Sequence, residues 1–581
     1  MSELLQVAAS LRKLTDDQLE TLITERMINA SGAVDFFDLA EALTKPNSIS
    51  AAISGLPFSQ ARALENLVAG STEQTEAAIE LTKLMLVDSD FKPFESTREA
   101  FKQFPAIREN LASVAEQTST DQVTVDRDAG LEIFETVQAI NELIFDLELR
   151  YVREVGKRNV GLPDLKRLAN HLRKNNDYAR EIYDLAKFAN LITLADGRWQ
   201  LTPQSDAWLT WSPAERYLHL CLVWRQMLGD TSARELNATI SNLTLPISLS
   251  EKLPAVYPFA DNSVSSKITK LSKFAAMLGL SASGWMSSWC SKVLVCEHQA
   301  ASELATQHLP ANQNRIIVQA DLSIIAPGPL PTSLEIQLRR FVSTEQIGVA
   351  STYRLSALSL SHGLETGMDE NQIRELLAEM SGTKLPQPVD YLIREAANRF
   401  KRLTVSAGTD SSRSVIRSSD VVQLASIMND SRLKPFAIQA LSNGDLVSRF
   451  EPEVVYFGLR EIGLPAVRID ASGEVISPHQ VNAQADGVSS TKSVREDIVR
   501  LREQDAKVGD SPDGDDLTRQ IELAIKNKGK VLVTVKSAAG DEIDFTLEPI
   551  GIANGRLRAK DRKADIERTL PVANIIRVVI Q

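Results

Sequence analysis

The sequence is poor in the residues from which disulfide frameworks and metal centres are built. Its 581 residues include 3 cysteines and 6 histidines. So few cysteines exclude a disulfide framework and are typical of a reducing compartment. Cys290, Cys296 and His298 lie close in sequence, but structural zinc sites use ligand pairs spaced by two to four residues and need a fourth ligand. We expect buried thiols in an apolar strand (KVLVC) here, with no metal and no other cofactor.

Long apolar runs and common catalytic motifs are also missing. No stretch of about 18 apolar residues occurs, and the N-terminus (MSELLQVAASLRKLTDD) lacks the pattern of a signal peptide. The sequence contains neither a G-x-x-x-x-G-K-[ST] phosphate loop nor a G-x-S-x-G nucleophile motif. We therefore expect a non-enzymatic protein without a membrane partner, located in the cytoplasm, with nucleoid association as a further location.

One stretch has the outline of a phosphate-binding loop. The β-rich run at 315–326 (RIIVQADLSIIA) is followed by a Pro-Gly-Pro turn and then by a helical pattern (SLEIQLRRF). A phosphate cradle needs successive backbone N–H groups, and Pro327, Pro329 and Pro331 have none. The stretch instead predicts a stiff corner between a strand and a helix.

Positive charge is scarce overall, but it is unevenly distributed. The formal net charge is −12, and residues 1–150 contain 12 Lys/Arg against 26 Asp/Glu. Residues 151–200 reverse this balance, with 10 Lys/Arg against 6 Asp/Glu. A local basic face can bind nucleic acid even in an acidic protein, although the overall repulsion weakens non-specific binding.

The pattern along the chain predicts a multi-domain α+β protein, since 581 residues are too many for one core. Its N-terminal half is predicted to be helical and winged-helix, and Thr15 or Asp16 and Ser59 are expected helix caps. The expected regions are a helical, helix-turn-helix-like region at 1–150, a winged helix with a Trp-rich helical segment at 151–300, a mixed α/β module at 314–480, a polar linker with one charged helix at 481–515, and a small β-barrel at 516–581.

The winged-helix prediction comes from the order of elements in residues 151–212. GLPDLKRLANHLRKN and YAREIYDLAKFANLI have helical patterns, and LITLADGRWQLTP reads as two strands around an Asp196-Gly197 turn. Two helices followed by a hairpin is the order expected for a winged helix.

Several stretches together resemble a known family. RIIVQADLSIIAPGPLP, with STYRLSALSLSHGLETGMDENQIRELLAEM after it, resembles a helicase-associated module of actinobacterial proteins, related to the N-terminal region of XPB-type DNA-repair helicases. SVIRSSDVVQLASIM to FEPEVVYFGLREIGLPAV continues it. VDFFDLAEALTKPNSISAAISGLP and GLPDLKRLANHLRKN are similar to that family's winged-helix segments.

The C-terminal stretch IELAIKNKGKVLVTVKSAAGDEIDFTLEPIGIANGRLRAKDRKADIERTLPVANI resembles a WYL domain, an Sm-like barrel. The tripeptide that names this domain would fall near Val531–Val535, where the chain has VLVTV, so the aromatic ring that would stack on a ligand is not there. The resemblance to helicases concerns their accessory region and supplies no motor.

Basic residues form two candidate sites. The first surrounds the first winged-helix helix: Lys157, Arg158, Lys166, Arg167, Arg173 and Lys174. Lys166, Asn170 and Arg173 or Lys174 recur at three- to four-residue spacing, which predicts one basic face opposite Leu165, Leu168 and Leu172. The alternative is an ordinary solvated surface.

The second candidate site lies in GRLRAKDRK. Arg556, Arg558, Lys560 and Arg562 alternate, so a strand would place all four on one side. Such a row on an Sm-like barrel suits single-stranded nucleic acid, although aromatic platforms are missing apart from Phe545. The alternative is an edge strand that its charge keeps soluble.

These observations favour a non-catalytic DNA-binding accessory protein, active in DNA repair or transcription, that docks on backbone phosphates. Its expected partners are DNA, duplex or single-stranded, and a helicase or another protein. The alternative is a protein–protein interaction scaffold whose winged helices and acidic N-terminal region bind protein partners. A third interpretation is a ligand-sensing regulator that uses the WYL-like barrel.

Overall fold

The computed structural model describes residues 3–107, 121–156, 158–241, 243–409, 412–476, 494–508, 517–518, 521, 524–525, 529–536, 542–561, 564 and 566–580. It confirms a mixed α+β architecture and divides the chain into two compact units. Unit 1 comprises Met1–Ser113, Ala255–Ser265 and Ser490–Gln581, and unit 2 comprises Val114–Pro254 and Ser266–Ser489. The described helices include none that is both long and apolar enough to cross a bilayer.

Unit 1 begins with short helices packed around two apolar clusters. Thr15 caps the second helix through a capping box with Gln18, as predicted. The predicted cap at Ser59 is wrong: Pro57, with its φ of −60°, precedes the first residue of the fifth helix, and no side chain caps it. The helices are α1 (Glu3–Lys13), α2 (Asp16–Glu25), α3 (Phe36–Thr44), α4 (Pro46–Ser54), α5 (Phe58–Val68), α6 (Glu76–Lys83) and α7 (Glu95–Phe101).

A five-stranded antiparallel sheet completes unit 1. Its strands are β16 (Val531–Lys536), β17 (Glu542–Ala553), β18 (Arg556–Asp561), β19 (Ile566–Pro571) and β20 (Ile575–Ile580). Their order is β19-β18-β17-β16-β20, so the last strand returns to pair with the first, and β19 and β20 are the two ends of the order. Val531, Val533, Leu547 and Leu557 form its buried face.

Unit 2 starts with a long helix, and the predicted helix–helix–hairpin segment follows it. Asp196 and Gly197 both have positive φ, 52° and 70°, as a two-residue hairpin turn requires. The elements are α8 (Gln122–Leu149), β1 (Val152–Val155), β2 (Asn159–Val160), α9 (Leu162–Leu172), α10 (Asn176–Phe188), β3 (Ile192–Ala195) and β4 (Arg198–Leu201). The sheet order is β2-β1-β4-β3, so the hairpin pairs with the strand that precedes both helices.

A tryptophan-rich helical layer comes next. Trp208, Trp224 and Trp289 are fully buried in it. Its elements are α11 (Pro203–Thr210), α12 (Pro213–Leu228), α13 (Asp230–Ile240), α14 (Leu249–Ala255), α15 (Asn262–Met277), β5 (Ser281–Ala282), β6 (Trp285–Met286), α16 (Cys290–Leu294) and α17 (His298–Thr306). Ala255–Ser265, which covers the start of α15, belongs to unit 1.

The predicted apolar strand around Cys290 is wrong. Cys290, Val293 and Leu294 are buried at the three- and four-residue spacing of a helix, and they form α16. Cys290 is buried as expected, whereas Cys296 is exposed. No group of three or more metal-ligating side chains occurs within the described part of the chain.

Two sheets with flanking helices form the rest of unit 2. The first sheet has the order β7-β8-β10-β9. Its elements are β7 (Ile317–Val318), β8 (Ser323–Ala326), α18 (Thr332–Arg339), β9 (Ser343–Gln346), β10 (Ser351–Arg354), α19 (Ala357–Glu365), α20 (Glu370–Ser381) and α21 (Gln387–Arg399). The β-rich run predicted at 315–326 is therefore interrupted by a turn between β7 and β8.

The second sheet has the order β13-β14-β12-β11-β15. Its elements are β11 (Leu403–Thr409), β12 (Ser412–Ser418), α22 (Val421–Asn429), β13 (Gln439–Ala440), β14 (Leu446–Ser448), α23 (Pro452–Glu461) and β15 (Val467–Arg468). A further helix, α24 (Val494–Val508), follows the sheet in the chain and lies in unit 1.

The Pro-Gly-Pro turn forms the stiff corner that the sequence predicts. β8 ends at Ala326, and Pro331 is the N-cap of α18. The carbonyl of Pro329 accepts a hydrogen bond from the N–H of Gln313 at 2.7 Å, and a Cβ at Gly328 would lie 2.9 Å from the Gln313 side chain. The close approach of these two chain segments explains the glycine.

Candidate nucleic-acid interface

Helix α9 has the amphipathic pattern that its sequence predicts. Leu165, Leu168 and Leu172 are buried, whereas Lys166, Asn170 and Arg173 are exposed on the opposite side. Pro163 lies in the first turn, and Arg173 ends the helix in the left-handed region with a φ of 51°. We call the exposed side of this helix, Lys166, Asn170, Arg173 and Lys174, the α9 face.

Two cations of the α9 face lack a carboxylate partner. Within the described chain, no Asp or Glu lies within ion-pairing distance of Lys166 or Arg173. Arg158 is exposed in the turn between β1 and β2, where its backbone N–H donates to Glu154 at 2.7 Å. Lys157 lies outside the described residues. Exposed cations of this kind can contact phosphates without first breaking an ion pair.

Arg167 has a different role from its neighbours. It donates to both oxygens of buried Asp146 on α8, at 2.9 and 2.8 Å, and pairs with Asp164 at 2.8 Å. Burial alone would lower the pKa of Arg167, but the two carboxylates outweigh burial and raise it above its ordinary value. Arg167 therefore attaches α9 to α8 and is not free to bind a phosphate.

Lys174 is also engaged, though less completely. Its Nζ lies 2.6 Å from Glu135 and 5.3 Å from the centre of the Tyr178 ring. The side chain is 36% exposed. Lys174 thus adds less net charge to the α9 face than Lys166 or Arg173.

The second helix of the pair, α10, is covered by another helix of unit 2. Asp184 accepts from Lys270 at 2.7 Å, Glu181 accepts from Lys273 at 2.5 Å, and Phe188 lies against Phe274. A helix-turn-helix normally presents its second helix to the major groove. In this molecule α15 lies against that helix, so the α9 face is the accessible basic surface of the pair.

The second basic cluster lies on β18 and alternates as predicted. Arg556, Arg558 and Lys560 are exposed, whereas Leu557, Ala559 and Asp561 are buried. Arg562 lies outside the described residues. The edge-strand interpretation is wrong, because β18 pairs with β17 on one side and β19 on the other.

Carboxylates on the neighbouring strands dilute the charge of the β18 row. Arg558 pairs with Glu567 at 2.9 Å, and Lys560 lies directly opposite Glu567 on β19 and Glu548 on β17. Phe545, the aromatic residue near this row, is covered by Arg568 at 4.7 Å. Cross-strand charge pairing accounts for most of this row without a ligand.

A cleft of about 580 Å³ lies where the start of β1, the start of α9, α19 and α23 meet. Its lining includes Arg150, Tyr151 and Arg153 from one segment, and Phe457 and Arg460 from α23. Sequence reasoning missed this site because its lining comes from widely separated segments. The signal in the sequence was Arg167, a residue of the first basic candidate site that also lines the cleft.

The mixed α/β region also lines this cleft, through Val342, Ser343, Ser356 and Phe436. This region can be compared with known families. Residues 316–442 match the helicase conserved C-terminal domain. The match runs from the start of the first sheet through β13 and includes the Pro-Gly-Pro corner. No curated protein matches the chain.

The helicase C-terminal domain match confirms that the chain is helicase-associated. It covers well under half of the sequence and ends before α23, so the α9 face and one wall of the cleft lie outside it. Within the matched region, the buried residues Glu335 and Arg339 of α18 face α8, where Arg339 pairs with Glu142. The matched domain thereby helps to position α8, the helix to which Arg167 attaches α9.

Proposed function

We propose that the chain is a non-catalytic, DNA-binding accessory protein of DNA repair or transcription, which docks on backbone phosphates through the α9 face. The observation that carries this proposal is that Lys166 and Arg173 have no carboxylate partner among the described residues and lie on a helix that Arg167 fixes to its neighbour. The helicase conserved C-terminal domain at 316–442 supports an association with nucleic acid. No phosphate loop occurs in the sequence, so a helicase motor would be a separate partner.

The connectivity of unit 2 supports a winged-helix interpretation of residues 151–201. A strand, two helices and a hairpin follow in order, and the hairpin strand β4 pairs with the first strand β1. Because α15 covers α10, the duplex would lie along α9 and contact phosphates rather than read bases. Affinity would then depend on salt, with a slope set by the number of phosphate contacts, and only weakly on sequence.

The C-terminal sheet supports a WYL-like, Sm-like module with a secondary role. Five strands in a meander, with the last returning to the first, is a connectivity from which a small barrel can close. The β18 row of Arg556, Arg558 and Lys560 would add weak backbone contacts, since Glu548 and Glu567 offset its charge. We place the protein in the cytoplasm, in contact with the nucleoid.

The test is fluorescence anisotropy of a labelled duplex across a salt series, with the double variant Lys166→Glu and Arg173→Glu. We expect affinity at low salt to fall about tenfold or more and the salt dependence to flatten, because two phosphate contacts become repulsive. The matched control reverses two exposed lysines elsewhere in unit 2, Lys384→Glu and Lys401→Glu. Equal losses in both double variants would show that net charge, and not the α9 face, sets the affinity.

A second candidate function is a protein–protein interaction scaffold, favoured by one exposed apolar surface. Val421 and Val422 of α22 are each 78% exposed, and Met428 on the same helix is 40% exposed. Contiguous exposed apolar residues are typical of binding surfaces. This function predicts a stoichiometric protein partner that resists nuclease treatment and is lost with Val421→Asp.

A further inference from the structure

Two arginines oppose each other on neighbouring strands, and one of them, Arg153, lines the 580 Å³ cleft. Arg153 on β1 and Arg198 on β4 are direct partners in the antiparallel register. Their guanidinium carbons lie 5.6 and 5.1 Å from the centre of the Tyr151 ring. Like charges directly opposite each other on a sheet are destabilising, so their pairing needs a compensating charge.

Only one of the two arginines has that compensation within the described chain. Arg198 pairs with Glu453 at 2.8 Å and its side chain is 15% exposed. Arg153 is exposed, and no carboxylate of the described residues lies within ion-pairing distance of it. The cleft therefore has an uncompensated positive charge at its rim, held over an aromatic ring.

The cleft lining favours a ligand that is both anionic and aromatic. Its charged residues are Arg150, Arg153, Arg167 and Arg460 against Asp164 and Glu461. Asp146 pairs with both Arg150 (3.2 Å) and Arg167, and Glu365 pairs with Arg460; these buried carboxylates lie behind the arginines and hold them in place, while the Arg150 side chain stays 42% exposed. Three half-buried aromatic rings also line the cleft: Tyr151, Phe436 and Phe457.

We propose that this cleft binds one unpaired nucleotide, with its phosphate between Arg150 and Arg153 and its base against the aromatic wall. The volume is that of a small-ligand pocket, and arginine with aromatic stacking is how single-stranded nucleic acid is held. The first turn of α9 lines the same cleft through Pro163 and Asp164, so a strand leaving a duplex docked on the α9 face reaches it directly. This inference rests on the proposed function and assigns it a substrate form, a duplex with an unpaired end.

The experiment compares a blunt duplex with the same duplex carrying a short single-stranded tail whose bases include the fluorescent analogue 2-aminopurine. We expect the tailed duplex to bind about tenfold more tightly, which corresponds to about one stacked base, and 2-aminopurine fluorescence to be quenched on binding.

Arg153→Ala and Tyr151→Leu should abolish both the preference and the quenching, and Arg153→Lys should retain most of the preference. Arg315→Ala is the matched control, since Arg315 is exposed in unit 2 and does not line the cleft.

The outcomes separate the two proposals. Tight duplex binding with no tail preference, or equal effects of Arg153→Ala and Arg315→Ala, would overturn the cleft assignment while the α9 face stands. If no DNA form binds, calorimetric titration with the free mononucleotide dAMP decides. Binding that is lost in Arg153→Ala would support the cleft as a site for free nucleotides, and an absence of binding would overturn both proposals.

Discussion

At the scale of single residues, Glu142 joins three elements of unit 2. It lies buried on α8, pairs with Arg339 of α18, shares a hydrogen bond of 2.8 Å with Nδ1 of His171 on α9, and accepts one of 2.9 Å from Thr344 on β9. Burial opposes ionisation of Glu142, but these partners outweigh burial and lower its pKa to about 2. The position of α9, and with it the basic face, depends on this carboxylate.

Replacing Glu142 by leucine should therefore destabilise unit 2. We expect a loss of about 3 kcal/mol in unfolding free energy, the lower end for a broken buried ion pair, because Glu335 still interacts with Arg339. Adding Arg339→Met should restore part of the loss. Urea unfolding followed by tryptophan fluorescence measures this directly, since all six tryptophans lie between Trp199 and Trp289 in unit 2. Glu345→Gln, which removes the exposed partner of Arg354, should leave the midpoint essentially unchanged.

The same carboxylate makes the stability of unit 2 depend on acid pH. Because the folded pKa of Glu142 is about 2 and its ordinary value is 4.5, its ionised form contributes stability above pH 4.5 that is lost as pH falls toward 2. Glu335 has a raised pKa, caused mainly by burial, and acts in the opposite direction. The difference in unfolding free energy between the native chain and Glu142→Gln isolates the Glu142 contribution together with its charge interaction with Glu335, which raises the Glu335 pKa less than burial does. A difference that does not shrink between pH 4.5 and 2 would contradict the assignment.

At the scale of elements, local signals in the sequence were sufficient for individual turns, caps and faces. Thr15 and Gln18 set the start of α2, the prolines at 327–331 set the corner before α18, and alternation in β18 sets its exposed row. Packing between distant segments carried no such signal. The cover of α10 by α15 and the lining of the cleft both depend on contacts between residues far apart in sequence.

Helix α24 is a second case in which the sequence predicts the element but not the segment it packs against. It lies inside the stretch predicted as a linker with one charged helix, yet Ile498 and Leu501 are buried in the apolar cluster of α1, α2 and α3. Arg495 pairs with Asp17 and Glu20 of α2, and Arg502 donates to the carbonyl of Arg12. The sequence indicates a helix, but its partner is nearly 500 residues away.

Leu501→Ala should therefore loosen the N-terminal helices. A fully buried leucine replaced by alanine costs about 2–5 kcal/mol, and hydrogen–deuterium exchange should show faster exchange in both α2 and α24. Val499→Ala on the same helix is the matched control, because Val499 is 52% exposed. Unchanged exchange in α2 after Leu501→Ala would contradict the packing of α24 on the N-terminal helices.

At the scale of the whole molecule, charge decides how the protein can bind DNA. The net charge of −12 repels a polyanion, so binding must rest on a few local cations. Composition gave the overall sign and the location of the basic segment, whereas the ion pairs that engage Arg167, Lys174 and Arg558 of the β18 row required the folded structure. The number of free cations is therefore much smaller than the number of basic residues.

The small number of cations without a carboxylate partner predicts a shallow salt dependence for the binding of blunt duplex DNA. Apart from Arg153, which lines the cleft, Lys166, Arg173 and Arg158 are the exposed basic residues near α9 without a carboxylate partner in the described chain, so two or three phosphates of a blunt duplex would be neutralised. Since log K falls with log salt with a slope of about −0.9 per phosphate contact, we expect a slope of about −2 to −3 for the native chain. Anisotropy titrations between 50 and 200 mM salt measure it. Because Arg167, Lys174 and the β18 row are already paired, a slope of about −6 or steeper would mean that these ion pairs open on DNA, and the charge accounting given for them would be wrong.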